Sequence, residues 1–263
     1  MRILLIGDIV GRPGRQIVVR AVPKLVVDEK LDLLIANGEN SAAGSGITPA
    51  NYQELIGAGV DVITLGDHIY KRKEIATVLA SKGNIVKPAN FPPAAPGKEW
   101  CVVTARNGVK VGVFSLLGRV FMRPVDCPFA AADRVLAAIP ADVKVRVLDF
   151  HAEATSDKQL MGRYLDGRAS AVLGTHTHVT TADEQILPGG TAFQCDVGMV
   201  GPHESILGRQ VDCVLQATIT FNPTHFEVAS GDVQLHGTIV DVDESTGRAT
   251  AIRRIVLREC DLG

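Results

Sequence analysis

Short apolar runs rich in branched residues recur along the chain, and five of them stop on a carboxylate, an amide or an imidazole. ILLIGD ends at Asp8, LLIANGEN at Glu39 and Asn40, VITLGDH at Asp67 and His68, LDFHAE at His151, and LGTHTHVT at His176 and His178. The runs are apolar nearly throughout rather than alternating, which predicts strands covered on both faces, as in a parallel sheet flanked by other layers. Open α/β sheets present their ligands just past the carboxyl ends of the strands, so the run ends predict one shared polar site. Singly, a histidine or aspartate in such a place is usually a cap or a turn residue; the coincidence of all five gives the pattern its meaning. His176 and His178 are two apart, so an extended backbone predicts imidazoles pointing the same way.

The same periodicity sets out the elements. Strands over 2–7, 32–37 and 61–65 alternate with helices near 13–28, 49–57 and 72–81, which predicts parallel βαβ units. Residues 87–100, KPANFPPAAPGKEW, are too dense in Pro and Gly for a helix and predict an ordered crossing loop. WCVVTAR and KVGVFSLL flank Asn107-Gly108, which predicts a hairpin closed by a two-residue type I′ turn. A helix over 128–139, a strand over 143–150, a helix over 157–165 and a strand over 170–174 follow. From about 185 onward, β-branched runs separated by turns predict a second, largely antiparallel sheet. No repeat, low-complexity stretch or flexible linker divides the chain, so residues 1–263 are expected to form one domain.

Composition narrows the function. A hydrophobic share of 46% with only 5% aromatics describes an aliphatic core, which favours α/β over an all-β sandwich. The net charge of −2 offers no basic field for long nucleic acid, so a nucleotide substrate would be small. No apolar stretch approaches the length of a membrane span, and the N-terminal run is too short for a signal-peptide core, so the chain reads as cytoplasmic. Five scattered cysteines without a C-x-x-C pair read as buried, reduced thiols.

Metal chemistry explains the polar site better than phosphate binding by a glycine loop. Gly7-Asp8-Ile9-Val10-Gly11-Arg12-Pro13-Gly14 has neither the G-x-G-x-x-G spacing nor the Lys-Ser/Thr of a P-loop, and Asp8 would repel a phosphate unless a cation lay between. Gly11 and Gly14 are expected to serve the turn and close helix packing. Asp8, Glu39, Asn40, Asp67, His151, His176 and His178 are too many donors for one tetrahedral zinc. They suit two ions sharing a bridging carboxylate, and mixed N/O donors without thiolate favour Fe, Mn, Zn or Co over Ca or Mg.

The order Asp8, Gly38-Glu39-Asn40, Gly66-Asp67-His68, His151, Gly174-Thr175-His176-Thr177-His178 resembles the calcineurin-like metallophosphoesterases. Within them it is similar to the bacterial YmdB-type phosphodiesterases almost from end to end, most specifically in MRILLIGDIVGRPGR, NGENSAAGSGIT, KPANFPPAAPGK and the stretch from DFHAEATSDK to CDVGMVGP. The resemblance implies a four-layer α-β-β-α sandwich of two mixed sheets. It implies that Asp8, Glu39, Asn40 and His178 hold one metal, and that Glu39 bridges to a second held by position 67, His151 and His176. It also implies iron or manganese in the pair, His68 as proton donor to the leaving oxygen, and 3′,5′- or 2′,3′-cyclic nucleotides as substrates. The wider superfamily's Asp-x-His is here Asp8-Ile9-Val10, and Glu39-Asn40 replaces its aspartate-led bridging motif; both belong to the YmdB-type pattern. Asp67 departs from that pattern itself, which has Gly-Asn-His where this chain has Gly66-Asp67-His68.

Other polar residues have ordinary readings. Glu153 and Asp149 flank His151 as acceptors for an imidazole N–H or as cap and surface groups. His203, His225 and His236 read as surface or structural residues, and Arg12, Arg119 and Arg168 are uncommitted phosphate-binding candidates, with Asp166 or a helix end as another partner for Arg168. Three functions stay in play: a phosphodiesterase, a phosphomonoesterase or nucleotidase on the same fold, and a nucleotide-binding regulator with little turnover. The expected partner is a small phosphodiester, with no long nucleic acid and no membrane, and a homo-oligomer is left open.

Overall fold

The computed structural model describes residues 1–262. The first stretch runs β1 (Arg2–Ile6), β2 (Asp8–Ile9), α1 (Gly11–Asp28), β3 (Leu33–Asn37), α2 (Pro49–Gly57), β4 (Val62–Thr64), α3 (Ala76–Ser81) and β5 (Ile85–Val86). The middle runs β6 (Trp100–Thr104), β7 (Lys110–Leu117), α4 (Pro128–Ala138), β8 (Val145–His151), α5 (Thr155–Tyr164) and β9 (Ala171–Thr175). The last stretch runs β10 (Gln185–Ile186), β11 (Ala192–Gln194), β12 (Met199–Pro202), α6 (Val211–Thr220), β13 (Val233–Val242) and β14 (Ala249–Arg258).

Two mixed sheets result. The first has the order β2-β12-β13-β1-β3-β4-β5 with β14 on the free edge of β13, and the second has the order β10-β11-β9-β8-β7-β6. In the first, β1, β3, β4 and β5 are parallel; in the second, β7, β8, β9 and β11 are. Side-chain alternation then dictates the layers. Ile3, Leu5, Leu33 and Ile35 meet Val111, Val113, Val145 and Val147 between the sheets. The intervening Leu4, Ile6 and Leu34 turn outward onto α1 and α2, while Phe114, Leu148 and Phe150 turn outward onto α4 and α5. The order is α-β-β-α, as the sequence resemblance implies.

Local chemistry explains the element starts and close approaches. Thr48 caps α2 by accepting from Asn51 N, the Asn51 side chain accepts from Thr48 N in return, and Pro49 opens the helix. A Cβ on Gly14 would lie 2.3 Å from Val200 O, so glycine is what lets α1 rest on β12. The crossing loop after β5 is irregular and ordered, with buried Lys87 donating to Ala95 O at 2.6 Å.

Three expectations need correction. The β6–β7 hairpin forms, but Gly108 N donates to Ala105 O, Ala105 N donates to Val109 O, and only Gly108 has positive φ. That is a three-residue loop with a bulge at Gly108, not a two-residue type I′ turn. The tail does not build its own sheet: β13 and β14 extend the first sheet, β12 pairs with β2 and β13, and β10 and β11 finish the second. Within the tail, where strands are expected throughout, VDCVLQATIT instead forms the helix α6. All five cysteines are free, yet only Cys101 and Cys195 are buried, with burial first among the causes that push both thiols up to about 12.

Candidate metal centre

The inter-sheet face turns polar at its carboxyl end. Along β3, β4, β8 and β9 the inward positions pass from Leu33, Val62, Val147 and Leu173 to Asn37, Thr64, Asp149 and Thr175, all fully buried. Asp149 accepts from Thr175 Oγ1 at 2.6 Å, Thr64 Oγ1 at 2.5 Å and Asn37 Nδ2 at 3.0 Å. Burial dominates its titration and pushes its carboxyl up to about 6. Above this layer the strands release their polar ends: Asp8 on β2, Glu39 and Asn40 after β3, Asp67 and His68 after β4, His151 closing β8, and His176 and His178 after β9. All eight predicted site residues are brought together.

They form two adjoining groups. In one, ligand atoms of Glu39, Asp67, His151 and His176 all lie within 4.8 Å of one another. In the other, Asp8 Oδ1 lies 3.8 Å from His178 Nε2 and 3.3 Å from Asn40 Nδ2, which itself is 3.3 Å from His178 Nε2. His176 N joins the groups by donating to Asp8 Oδ2 at 3.0 Å, and His68 N does so by donating to Glu39 Oε2 at 3.0 Å. Gly66 makes the approach of the two sheets possible, since a Cβ there would fall 2.3 Å from the His151 ring.

The three clustered histidines each have one nitrogen engaged away from the cluster. The Thr175 hydroxyl donates to Asp149, so its oxygen accepts from His151 Nδ1 at 2.8 Å. Glu153 Oε2 lies 3.1 Å from His176 Nε2, and Leu207 O accepts from His178 Nδ1 at 3.2 Å. Carbonyl and hydroxyl oxygens accept the outward protons of His178 and His151, which turns His151 Nε2 and His178 Nε2 inward together with His176 Nδ1; His151 Nε2 lies 3.0 Å from Glu39 Oε1 and 3.3 Å from Asp67 Oδ1, and a nitrogen that bound a cation there would carry no proton. His151 Nε2 and His176 Nδ1 lie 3.0 Å apart, and buried Glu39 Oε1, though 3.0 Å from His151 Nε2, makes no well-formed hydrogen bond. Neither lysine nor arginine pairs with Asp8, Glu39 or Asp67 among the described residues.

Titration reports the same deficit of positive charge. Burial opposes an imidazolium at His151, yet Glu39, Asp67 and Asp8 together raise its pKa well above the ordinary value. Burial opposes ionisation of Asp8 and Asp67, but the surrounding histidines hold both below the usual carboxylate range. Burial and His151 lower His176. Inward imidazole nitrogens, clustered carboxylates and a buried carboxylate oxygen without a well-formed hydrogen bond fit cations at this place. The Asn40 amide turns Nδ2 toward Asp8 and His178 and Oδ1 toward His68 Nδ1 at 2.7 Å; ligation through oxygen on the Asp8 side requires the amide turned over within the same volume.

One expectation about geometry fails. The backbone at His176 and His178 is not extended: φ is +100° and +64°, so the two imidazoles diverge, His176 toward His151 and His178 toward Asp8. Left-handed non-glycine residues cost about 1–3 kcal/mol each, and the turn persists because Thr177 between them is held by N and Oγ1 to Asp196 Oδ2 at 3.0 and 2.8 Å. Buried Lys158 Nζ donates to the same oxygen at 2.8 Å. Asp196 and Lys158 fall in the family-like stretch, but the sequence does not single them out: Asp196 stands in the apolar run AFQCDVGMV, whereas Lys158 lies in the polar helix TSDKQLMGRY, where nothing local marks it as buried. Of the uncommitted residues, Glu153 reaches His176, whereas Asp149 acts on His151 through Thr175. Arg168 pairs with Asp133 at 2.6 Å, and Asp166 instead accepts from Gly189 N. His203 stacks on His236 at 4.3 Å, and His225 lies in a loop.

A cavity of about 350 Å³ opens over the centre, with His68, His176 and His178 on one side and Leu207, Val214 and Phe226 on the other. Among the described residues, no helix is long and apolar enough to cross a membrane.

Comparison with known proteins agrees with this architecture. The chain is 47% identical over 259 residues to the 2′,3′-cyclic-nucleotide 2′-phosphodiesterase of Bacillus subtilis, covering 98% of each chain. A solved Thermus thermophilus protein described as hypothetical superposes with a TM-score of 0.92 at 42% identity, covering 98% of this chain and all of that one. A Mycoplasma pneumoniae protein described as a novel phosphatase superposes with a TM-score of 0.91 at 30% identity, covering 98% of this chain and 93% of the other. The YmdB-like protein family matches residues 4–255, and with these relatives at these identities the chain belongs to it.

Proposed function

We propose that the chain is a binuclear metal-dependent phosphodiesterase acting on small phosphodiesters, cyclic nucleotides foremost, and that its residues form one catalytic domain working in the cytoplasm. The observation that carries this reading is the gathering of three inward-facing imidazole nitrogens with the carboxylates of Asp8, Glu39 and Asp67, none of which pairs with a lysine or arginine among the described residues. Asp8, Asn40 and His178 would hold one ion, Asp67, His151 and His176 the other, and Glu39 would bridge them. The donor set suits iron and manganese, with zinc or cobalt acceptable. Bound there, two ions supply Lewis acidity to the phosphoryl oxygens and acidify a water for in-line attack.

The chain's own residues do the rest. The His176 amide, the Asp196–Thr177 clasp and the Asp149–Thr175 pair fix the donors before substrate arrives, so little reorganisation remains for the reaction. His68 lines the cavity, a third exposed, with Nδ1 on Asn40 and Nε2 3.8 Å from Asp67 Oδ2. From Nε2 it gives a proton to the departing sugar oxygen. The activity named for the Bacillus subtilis relative makes a 2′,3′-cyclic nucleotide the first substrate to try, opened at its 2′ bond to leave a 3′-phosphate, with 3′,5′-cyclic nucleotides second. After reconstitution with Mn or Fe, cyclic nucleotides and bis-p-nitrophenyl phosphate should be hydrolysed faster than p-nitrophenyl phosphate. Faster monoester hydrolysis would make the protein a phosphomonoesterase, and tight nucleotide binding without turnover would make it a regulator.

A further inference from the structure

Between β12 and β13 the chain leaves the first sheet for an excursion over residues 203–232 that carries α6 and forms the far wall of the cavity. The excursion is fastened to the metal-bearing loops. Arg209 Nη1 donates to Ala43 O at 3.0 Å and to Phe226 O at 2.9 Å, and Nη2 donates to Gly44 O, so one guanidinium ties both ends of the excursion to the turn that carries Glu39 and Asn40. Leu207 O accepts the His178 Nδ1 proton at 3.2 Å, which registers the wall against the centre. What the wall presents is apolar: Ile206, Leu207 and Phe226 are 42%, 50% and 40% exposed, and Val214 joins them at the cavity. Large apolar side chains left open beside a polar floor are costly unless a ligand covers them.

The cavity therefore has two unlike halves, a cationic floor once metals are bound and an apolar, aromatic-bearing wall, within a volume of about 350 Å³. That volume is at the small end for a ligand of nucleotide size. A ligand that satisfies both halves has a phosphate at one end and a flat, apolar-faced group at the other. We propose that Ile206, Leu207, Val214 and Phe226 form the nucleobase subsite, with the base lying against Phe226 while the phosphodiester sits on the metal centre. The inference rests on the phosphodiesterase reading and adds which residues recognise the base. Arg209, spent on backbone carbonyls, positions the wall and does not bind phosphate.

The test compares adenosine 2′,3′-cyclic phosphate with ribose 2′,3′-cyclic phosphate, which has the same reacting diester and no base, on the Mn-reconstituted full chain. The wild type should prefer the base-bearing substrate in kcat/KM by about 5- to 100-fold, the usual worth of stacking one base on an aromatic side chain. Phe226→Ala should bring that ratio close to one through KM, and Phe226→Tyr, which keeps the ring, should restore it. Equal kcat/KM for the two substrates in the wild type would overturn the subsite without need of a variant. An equal fall for both substrates in Phe226→Ala would overturn it too, by making Phe226 a structural prop. If the wild type hydrolysed neither cyclic phosphate, the phosphodiesterase reading itself would fail and the subsite with it.

Discussion

His68 differs from the other site histidines in what holds it: its ring contacts only Asn40 closely, and no acceptor outside the centre fixes its proton. That arrangement suits the proton-donor role proposed for His68. His68→Ala should keep the metal content and lower kcat on a cyclic nucleotide by about 10²–10⁴-fold, the usual worth of a general acid. The defect should shrink for a p-nitrophenolate leaving group, which needs no proton; an equal loss on good and poor leaving groups would make His68 a ligand or a positioning residue. Asp67 offers a second test, because it places a full charge between His151 and His176 where an amide would fit. Removing one negative charge roughly 6–10 Å from a bound phosphate is worth about 2–3 kcal/mol at an effective dielectric near 20, and less once bound ions screen it. Asp67→Asn should therefore tighten competitive inhibition by inorganic phosphate about tenfold with both ions retained, and an unchanged inhibition constant would show that Asp67 stands outside the centre. The clustering of the eight candidate residues was legible because they stand at the ends of apolar runs; the contacts of Thr175, Asp196 and Lys158 were not, because they join segments far apart in the chain.

The elements with clean periodicity were legible to within a residue or two, α2 over Pro49–Gly57 and β8 over Val145–His151 among them. Elements whose partners are distant were not. α6 buries none of its residues and its β-branched composition favours a strand, so only its place over the cavity identifies it. β13 reads as half of a hairpin, yet its other edge pairs with β1, more than two hundred residues earlier. That strand also carries a pH-sensitive contact. His236 accepts from Thr180 Oγ1 at Nδ1, 2.6 Å away, and donates to Gln234 Oε1 at Nε2, while its ring stacks on His203. Burial first, then His203, lowers its pKa from 6.5 to about 4. A histidine whose folded pKa is depressed contributes its stability above the unfolded pKa and loses it as pH falls toward the folded one. In chelated protein, the urea midpoint should fall from pH 6.5 toward pH 4, and His236→Gln, which lacks this proton uptake, should flatten the fall. An identical slope in both proteins would contradict the assignment.

At the scale of the molecule, two sheets pack face to face so that five strand ends from different parts of the chain meet at one edge of the shared core, and the buried aliphatic face gives way there to Asn37, Thr64, Asp149 and Thr175. The sandwich was legible through family resemblance rather than through periodicity, which alone gave the tail a sheet of its own. The convergence of strand ends was legible from the residues themselves; the division of the donors into two groups came only from the family resemblance, because it depends on the left-handed turn that sends His176 and His178 apart. Glu39 is the one side chain proposed to serve both groups, so it ties the central claim to a single number, the metal ions bound per chain. Metal analysis of purified wild type should give close to two ions per chain, and Glu39→Gln should lose most of both while remaining folded. One ion per chain in fully active wild type, or a Glu39→Gln protein that still holds two, would contradict the account.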